Sequence, residues 1–300
     1  MNTPLTSDDA LVIINNHYTL CDIEYCMFLR RGFNDTYVVE TKTNKYIFRV
    51  YLEGKYYIDS NDDYRFELDL VKHLNAHDVP VATVISTSSG ELLGIEKTKH
   101  GESAFALFHY ADGFSLGRES VTTEQSYHMG VALANLHLAS NTFVSQFNRY
   151  KLDLKYLVDE PVRLVSQGEN SSIPNALLER GRYVMEKLQP LERYVDRVKS
   201  IGTDGDKFGV IHADMHLGNI HFRGQEPTIF DFDHCAYGWR AYDLAICYGL
   251  PETQRLSMVE GYESRRPLSL EERDSLQDIS NLRNLWDIGD TLATERMRVE

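Results

Sequence analysis

Val210-Ile-His-Ala-Asp-Met-His-Leu-Gly-Asn-Ile220, with Thr228-Ile-Phe-Asp-Phe-Asp233 close behind it, decides how this chain is read. Each piece opens on a β-rich run, Val210-Ile211-His212 and Thr228-Ile229-Phe230, and passes at once into acidic and amide residues. Loops at strand ends combine a rigid base with exposed side chains, which is where chemistry tends to sit. The pattern His212-x-Asp214-x-x-x-x-Asn219, then Asp231 on a second strand end, supplies two carboxylates and a carboxamide. Phosphoryl transfer from ATP needs such a set: one carboxylate to orient the attacking hydroxyl and accept its proton, and an amide plus a second carboxylate to hold Mg2+ against the phosphates. Asp214, Asn219 and Asp231 fill those roles in that order. An isolated Asp-x-x-x-x-Asn is usually a pair of turn residues; its joint occurrence with the strand exit, His212, Asp231 and Asp243 is what carries weight. His212 itself reads as structural, an imidazole holding the loop by hydrogen bonds.

Working outward, Thr6 or Ser7 caps a short helix running to about Asn16, with Asp8 and Asp9 at its positive end. From Tyr25 to Tyr51 the hydrophobic period is two, and Thr36–Val39 and Tyr46–Tyr51 flank the turn residues Lys42-Thr43-Asn44 as a hairpin. Ser60, Asp62 and Asp63 open a helix with Phe66, Leu70 and Leu74 on one stripe, ended by Val79-Pro80. Strand-like runs follow at Val81–Ile85, Leu92–Lys97 and Phe105–Tyr110, the last leading into a chain reversal at Ala111-Asp112-Gly113. Beyond that point helical patterns dominate, from Thr123 and over residues 174–199 and 270–297. Ser166–Pro174 is the one flexible-looking connector, and there is no internal repeat.

The 300 residues carry 31 Lys and Arg against 45 Asp and Glu, a net charge of −14. Phosphate-backbone binding needs clustered cations, so a nucleic-acid partner is excluded, and a cationic or metal-bridged anionic ligand fits better. Arg30-Arg31 and Arg265-Arg266 read as solvated faces rather than phosphate clamps. Cys21, Cys26, Cys235 and Cys247 lack the density and spacing of a disulfide framework or zinc knuckle and read as small buried thiols in a reducing compartment. No apolar run reaches the ~18 residues of a membrane span and no basic leader opens the chain, which points to a cytoplasmic protein without a membrane partner.

The stretch His212-Ala213-Asp214-Met215-His216-Leu217-Gly218-Asn219, followed by Ile229-Phe230-Asp231-Phe232, resembles the signature of the aminoglycoside phosphotransferase and choline kinase superfamily, relatives of protein kinases. Asp231 at the end of its apolar strand stands in for the Asp of Asp-Phe-Gly. Asp243-Leu244-Ala245, the Leu133–His137 helix segment, the Gly32–Tyr37 run and Glu67 also look like that family's motifs, and the matches span about residues 25–250. The Arg30–Tyr37 and Tyr242–Ile246 runs look most like the branch of type II homoserine kinases and a stress-response kinase acting on protein Ser and Thr. The resemblance implies an α+β, bilobal protein-kinase-like fold. An antiparallel-sheet N-terminal lobe would cover residues 1–110 and a mostly helical catalytic and acceptor-binding lobe residues 111–300, with a hinge near 109–113.

It further implies ATP and Mg2+ as cofactors. Asp214 would be the catalytic base, Asn219 and Asp231 the metal ligands, and Gly32, Asn34, Arg49, Glu67 and the backbone of Tyr110 and Ala111 the nucleotide contacts. Two departures stand out. Arg49 replaces the usual third-strand lysine, and a planar guanidinium reaches phosphates differently from a point charge. Ala213 replaces a glycine, which narrows backbone freedom. The acceptor implied is small and hydroxylated, an amino-sugar, amino alcohol or homoserine-like molecule, with a cation favoured by the acidic chain. Alternatives are a protein Ser/Thr kinase of the stress-response type and, because of Arg49, a weakly active nucleotide-binding regulatory module. A dinuclear phosphoesterase built on Asp214, His216, Asn219 and His221 is disfavoured, because its ligands should come from several separate strand ends. His137, ending an apolar stripe, reads as a core histidine. Oligomeric state and the choice between ATP and GTP are left open.

Overall fold

The computed structural model describes residues 3–98, 101–167 and 174–299. Helix α1 (Ser7–His17) begins where Thr6 Oγ1 accepts the Asp9 N–H at 3.1 Å, a capping box that uses two of the unpaired donors at the helix start. The period-two region forms β1 (Ile23–Arg31), β2 (Asn34–Thr41) and β3 (Lys45–Tyr51), all antiparallel, with Thr36 opposite Arg49. Ser60 caps α2 (Asn61–Ala76). Then come β4 (Val84–Ile85), β5 (Gly94–Thr98) and β6 (Gly101–His109), completing an antiparallel sheet in the order β1-β2-β3-β6-β4 with β5 also on β6. The strand expected over Val81–Ile85 is shorter because its first half turns to the other lobe. Ile229 N–H donates to the Pro80 carbonyl at 2.8 Å and Ala82 N–H to the Ile229 carbonyl at 2.9 Å.

Helix α2 serves both halves. Tyr64 and Leu68 pack under the sheet, while Phe66, Leu70, Val71 and Leu74 enter the larger core of the second half. Each such fully buried side chain contributes about 1.5–3 kcal/mol relative to exposure, so this helix fixes how the lobes meet. The chain reversal falls where expected: Gly113 has φ +91°, and a Cβ there would overlap the Phe222 carbonyl.

The second half holds α3 (Thr123–Ser140), β7 (Lys151–Leu152), a π-helical turn (Lys155–Asp159), α4 (Glu160–Gln167), α5 (Asn175–Lys187) and α6 (Leu191–Ile201). There follow β8 (Phe208–Ile211), a 3-10 turn (Leu217–Asn219), β9 (Ile220–Arg223), β10 (Glu226–Ile229), β11 (Ala236–Trp239), α7 (Arg240–Leu244), α8 (Glu252–Glu263) and α9 (Leu270–Val299). The pattern over 174–199 resolves into two helices because Pro190 cannot extend the hydrogen-bond ladder and instead starts α6. Of the expected connector Ser166–Pro174, residues 168–173 lie outside the described residues, while Ser166 and Gln167 close α4.

Two further expectations are corrected. Cys235 and Cys247 are buried free thiols, but Cys26 is half-buried and Cys21 exposed. Arg266 is not on a solvated face: it is buried, 2.8 Å from Glu272 and 2.9 Å from Asp206, and its charge is neutralised there. Among the described residues no helix is long and apolar enough to cross a membrane.

Candidate active site

The loop leaving β8 is clamped by a buried carboxylate. Asp243, on α7, accepts the His212 N–H at 2.7 Å and the Ala213 N–H at 2.9 Å. It also accepts from His137 Nε2 at 3.1 Å, and the Tyr262 hydroxyl lies 2.7 Å from His137 Nδ1. Burial pushes His137 down to about 4 against the pull of Asp243, so the ring is neutral. Burial would raise Asp243, but the His137 hydrogen bond and the surrounding imidazoles hold it below the usual carboxylate range. This clamp holds Ala213 at φ +65°, a left-handed conformation that an alanine enters only at a cost; the exchange of glycine for alanine therefore does more than narrow freedom. His212 is structural: its Nδ1 accepts from Asp214 N–H at 3.2 Å while Nε2 reaches the Phe230 carbonyl at 3.0 Å.

Strain and clamp together aim Asp214 outward. Asn219 Nδ2 donates both to the Asp214 carbonyl and to its Oδ2, each at 3.0 Å, and His216 Nε2 lies 3.6 Å from the same carboxylate. Burial works against the charge, yet the His216 hydrogen bond and the nearby imidazoles keep Asp214 ionised well below its ordinary range. The pairing of β9 with β10 does the rest: Phe230 N–H donates to the Asn219 carbonyl at 3.0 Å, which sets Asp231 beside Asn219. Asp231 has φ +68°, a region that aspartate tolerates better than most residues.

Across the cleft, Arg49 NH1 donates to Glu67 at 2.6 Å and NH2 to Asp231 at 2.9 Å. The guanidinium thus spans two carboxylates from opposite ends of its fork. Glu67 is fully buried and also accepts from the Tyr51 hydroxyl at 3.1 Å. Arg30 is exposed, as expected of a solvated face, yet lies 3.7 Å from the other Asp231 oxygen and helps to line a cavity of about 370 Å3. Leu29, Ile47, Val71, Ala82, Phe108 and Phe230 form the apolar wall of that cavity, and Arg30, Arg49 and Asp231 its polar end. An aromatic base followed by a polyanion matches this division. Among the described residues no three of His, Cys, Asp and Glu gather as a metal cluster. Asn219 and Asp231 nevertheless offer the oxygen donors that suit Mg2+ held largely by phosphates.

Of the expected nucleotide contacts, Gly32 and Asn34 do not line the cavity, whereas Arg49, Tyr110 and Ala111 do. Tyr110 lines the cavity, but its N–H is spent on the Lys45 carbonyl at 3.0 Å. His109 and Ala111 on either side of it also line the cavity, and the His109 N–H is spent on the Thr83 carbonyl at 2.8 Å. The Ala111 carbonyl already lies 2.6 Å from His221 Nδ1. Gly32 sits in open space at the β1–β2 turn and does not line the cavity. Asn34 does not either: it is buried against Lys55 and Asp233, while Leu29, Arg30 and Thr36 form the roof.

Sequence reading missed the wall supplied by α9. Arg283 donates to the Met215 carbonyl at 3.0 Å, directly after Asp214, and lies over the Tyr242 ring. One turn on, Asp287 is solvent-accessible yet crowded by protein, and burial raises it to about 6. Asp290 is buried 3.8 Å from His234 Nε2, and burial raises it too. His234 Nε2, Asp290 Oδ1, Trp286 Nε1 and the Tyr242 hydroxyl are buried and have no hydrogen-bond partner among the described residues. An i, i+4, i+7 spacing of Arg283, Asp287 and Asp290 on one helix was the available signal.

A two-lobed fold with this cleft and this set of acids defines a kinase-like phosphotransferase. The chain matches the phosphotransferase enzyme family over residues 28–277 and belongs to it. It is 27% identical to a homoserine kinase of Caulobacter sp., over 90% of this chain and 81% of that one. Its fold is similar to that of a microcompartment-associated aminopropanol kinase, with TM-score 0.70, 24% identity and coverage of 96% and 93% of the two chains. An amicoumacin kinase in complex with AMP-PNP, Ca2+ and Ami gives TM-score 0.70 at 20% identity, covering 94% and 85%.

Proposed function

We propose that the protein transfers the γ-phosphoryl group of Mg-ATP to the hydroxyl of a small cationic acceptor. The observation that carries this reading is that Asn219 is hydrogen-bonded to Asp214 and held by its backbone to the segment of Asp231, which lines the polar end of an apolar cavity. Bound between them, Mg2+ would neutralise phosphate charge as it builds up in the transition state. Asn219 Oδ1 and Asp231 would hold the metal, and Arg49 and Arg30 would face the phosphates. Asp214, kept ionised, orients the acceptor hydroxyl and takes its proton as the bond to phosphorus forms. A base this weak suits a loose transition state, in which the hydroxyl proton leaves late. The relative named a homoserine kinase and the neighbours named aminopropanol and amicoumacin kinases support a hydroxylated small-molecule acceptor. Asp287 and Asp290 beside Asp214 favour a cationic one.

The test is ADP production against a panel of cationic alcohols with Ser and Thr peptides alongside. Asp214→Asn should abolish transfer while keeping the thermal stabilisation by Mg-ATP; full activity in that variant removes the base. Asp231→Ala should erase the stabilisation itself. Nucleotide binding without turnover on any acceptor would favour the regulatory module.

A further inference from the structure

Lys55 lies on the loop between β3 and α2, and the phosphotransfer reading makes no use of it. Its side chain is 3% exposed. Nζ is 3.0 Å from both carboxylate oxygens of Asp233 and 2.6 Å from Asn34 Oδ1. Asn34 Nδ2 in turn donates to Asp233 Oδ2 at 3.0 Å, and the Tyr57 hydroxyl donates to the same oxygen at 3.2 Å. The ammonium also rests 5.3 Å and 5.0 Å from the ring centres of Tyr51 and Tyr64. All three protons of the cation thus have an acceptor or an aromatic face within reach, in a setting closed to water.

The segments joined here are those whose separation sets the phosphate end of the cavity. Asn34 starts β2, immediately after the turn that follows Leu29 and Arg30; Lys55 follows the strand that carries Arg49; Asp233 is two residues beyond Asp231. A desolvated ion pair adds little net stability over an apolar replacement, so its structural effect is to specify geometry. We propose that Lys55 is a positioning residue, an interlobe latch that holds the β1–β2 turn and the Asp231 segment at a fixed separation and so sets affinity for the nucleotide. Its kinetic consequence rests on the proposed function; its structural consequence does not.

The full chain is tested as Lys55→Met, Lys55→Arg and the double variant Lys55→Met/Asp233→Asn. Lys55→Met alone leaves Asp233 buried and unpaired and can fail to fold, whereas the double variant removes both charges. Amide hydrogen exchange without ligand should rise about tenfold in residues 29–36 and 52–60 of the double variant, with residues 208–212 unchanged. KM for ATP should rise about tenfold with kcat altered less than threefold, and Lys55→Arg should recover most of the loss. Asn34→Ala, which cuts the turn from an intact ion pair, carries the same exchange test if the double variant does not fold. Exchange and KM within twofold of the parent overturn the latch, as does faster exchange spread evenly over the chain. Should the parent protein show no ATP turnover, the proposed function fails, and the exchange comparison still decides the latch.

Discussion

Replacing Asp243 with Asn perturbs the clamp without changing its size. The carboxylate accepts the N–H groups of His212 and Ala213 on its two oxygens and the His137 ring on one of them. An amide can swap tautomers with His137, but in either orientation its NH2 faces one backbone N–H, so a donor is left unpaired. A buried unpaired donor costs about 1–3 kcal/mol, and the lost charge-assisted bonds add a further cost of that order. The total, about 2–6 kcal/mol, is a large share of the ~5–15 kcal/mol stability of a typical protein. The urea midpoint should fall with the slope unchanged. The φ +65° conformation of Ala213 then has one restraint fewer, and relaxing it swings Asp214 off its aim. We therefore expect kcat to drop at least tenfold while KM for ATP stays within about threefold, since Asp243 does not line the cavity. A variant with the parent midpoint and full kcat would refute the clamp.

Arg49→Lys keeps a charge but cannot reach Glu67 and Asp231 from two ends of a fork; the loss of one charge-assisted bond should lower stability by about 1.5–3 kcal/mol, read from denaturant midpoints. His137, held near 4 when folded against an ordinary value of about 6.5, stays neutral while the unfolded chain takes up a proton. Its contribution is complete above about pH 6.5 and is lost as the pH falls toward 4, by up to about 3 kcal/mol; His137→Gln should show a shallower fall of the urea midpoint over that window. Asp287, raised to about 6, loses its charge below that pH, so KM for a cationic acceptor should climb on acidification in the parent and be high and flat in Asp287→Asn. Chelating divalent metal should remove most of the thermal stabilisation given by ATP, because Asp214, Asp231 and Glu67 outnumber Arg30 and Arg49 at the phosphate end; equal shifts with and without metal would count against Asn219 and Asp231 as its ligands.

The neighbourhood of Asp214, Asn219 and Asp231 was readable because its relations are local or are carried by pattern. Asp214 and Asn219 are five residues apart on one strand exit, and Asp231 ends the strand that pairs with the next one. Helix caps at Thr6 and Ser60 were readable for the same reason. What escaped was set by contacts across the chain. Lys55 meets Asp233 at a separation of 178 residues, and nothing in the spacing of either announces the other. Arg30 and Arg266 carry the same charge and each stands in an arginine pair, yet one stays exposed beside Asp231 and the other is buried between two carboxylates. The burial of Tyr51 and Tyr64 around Lys55 likewise follows from how α2 seats against the sheet, which composition does not encode.

The acidic chain suggested a cationic partner, but net charge alone does not say where. In the cleft the signs are separated. Arg30 and Arg49 line the cavity beside Asp231, whereas Asp287, on α9, is within electrostatic reach of Asp214 and does not line it. In the proposed reaction, this separation of charge would draw a cationic acceptor toward Asp287 and the nucleotide phosphates toward the guanidinium groups, with the metal offsetting Asp231.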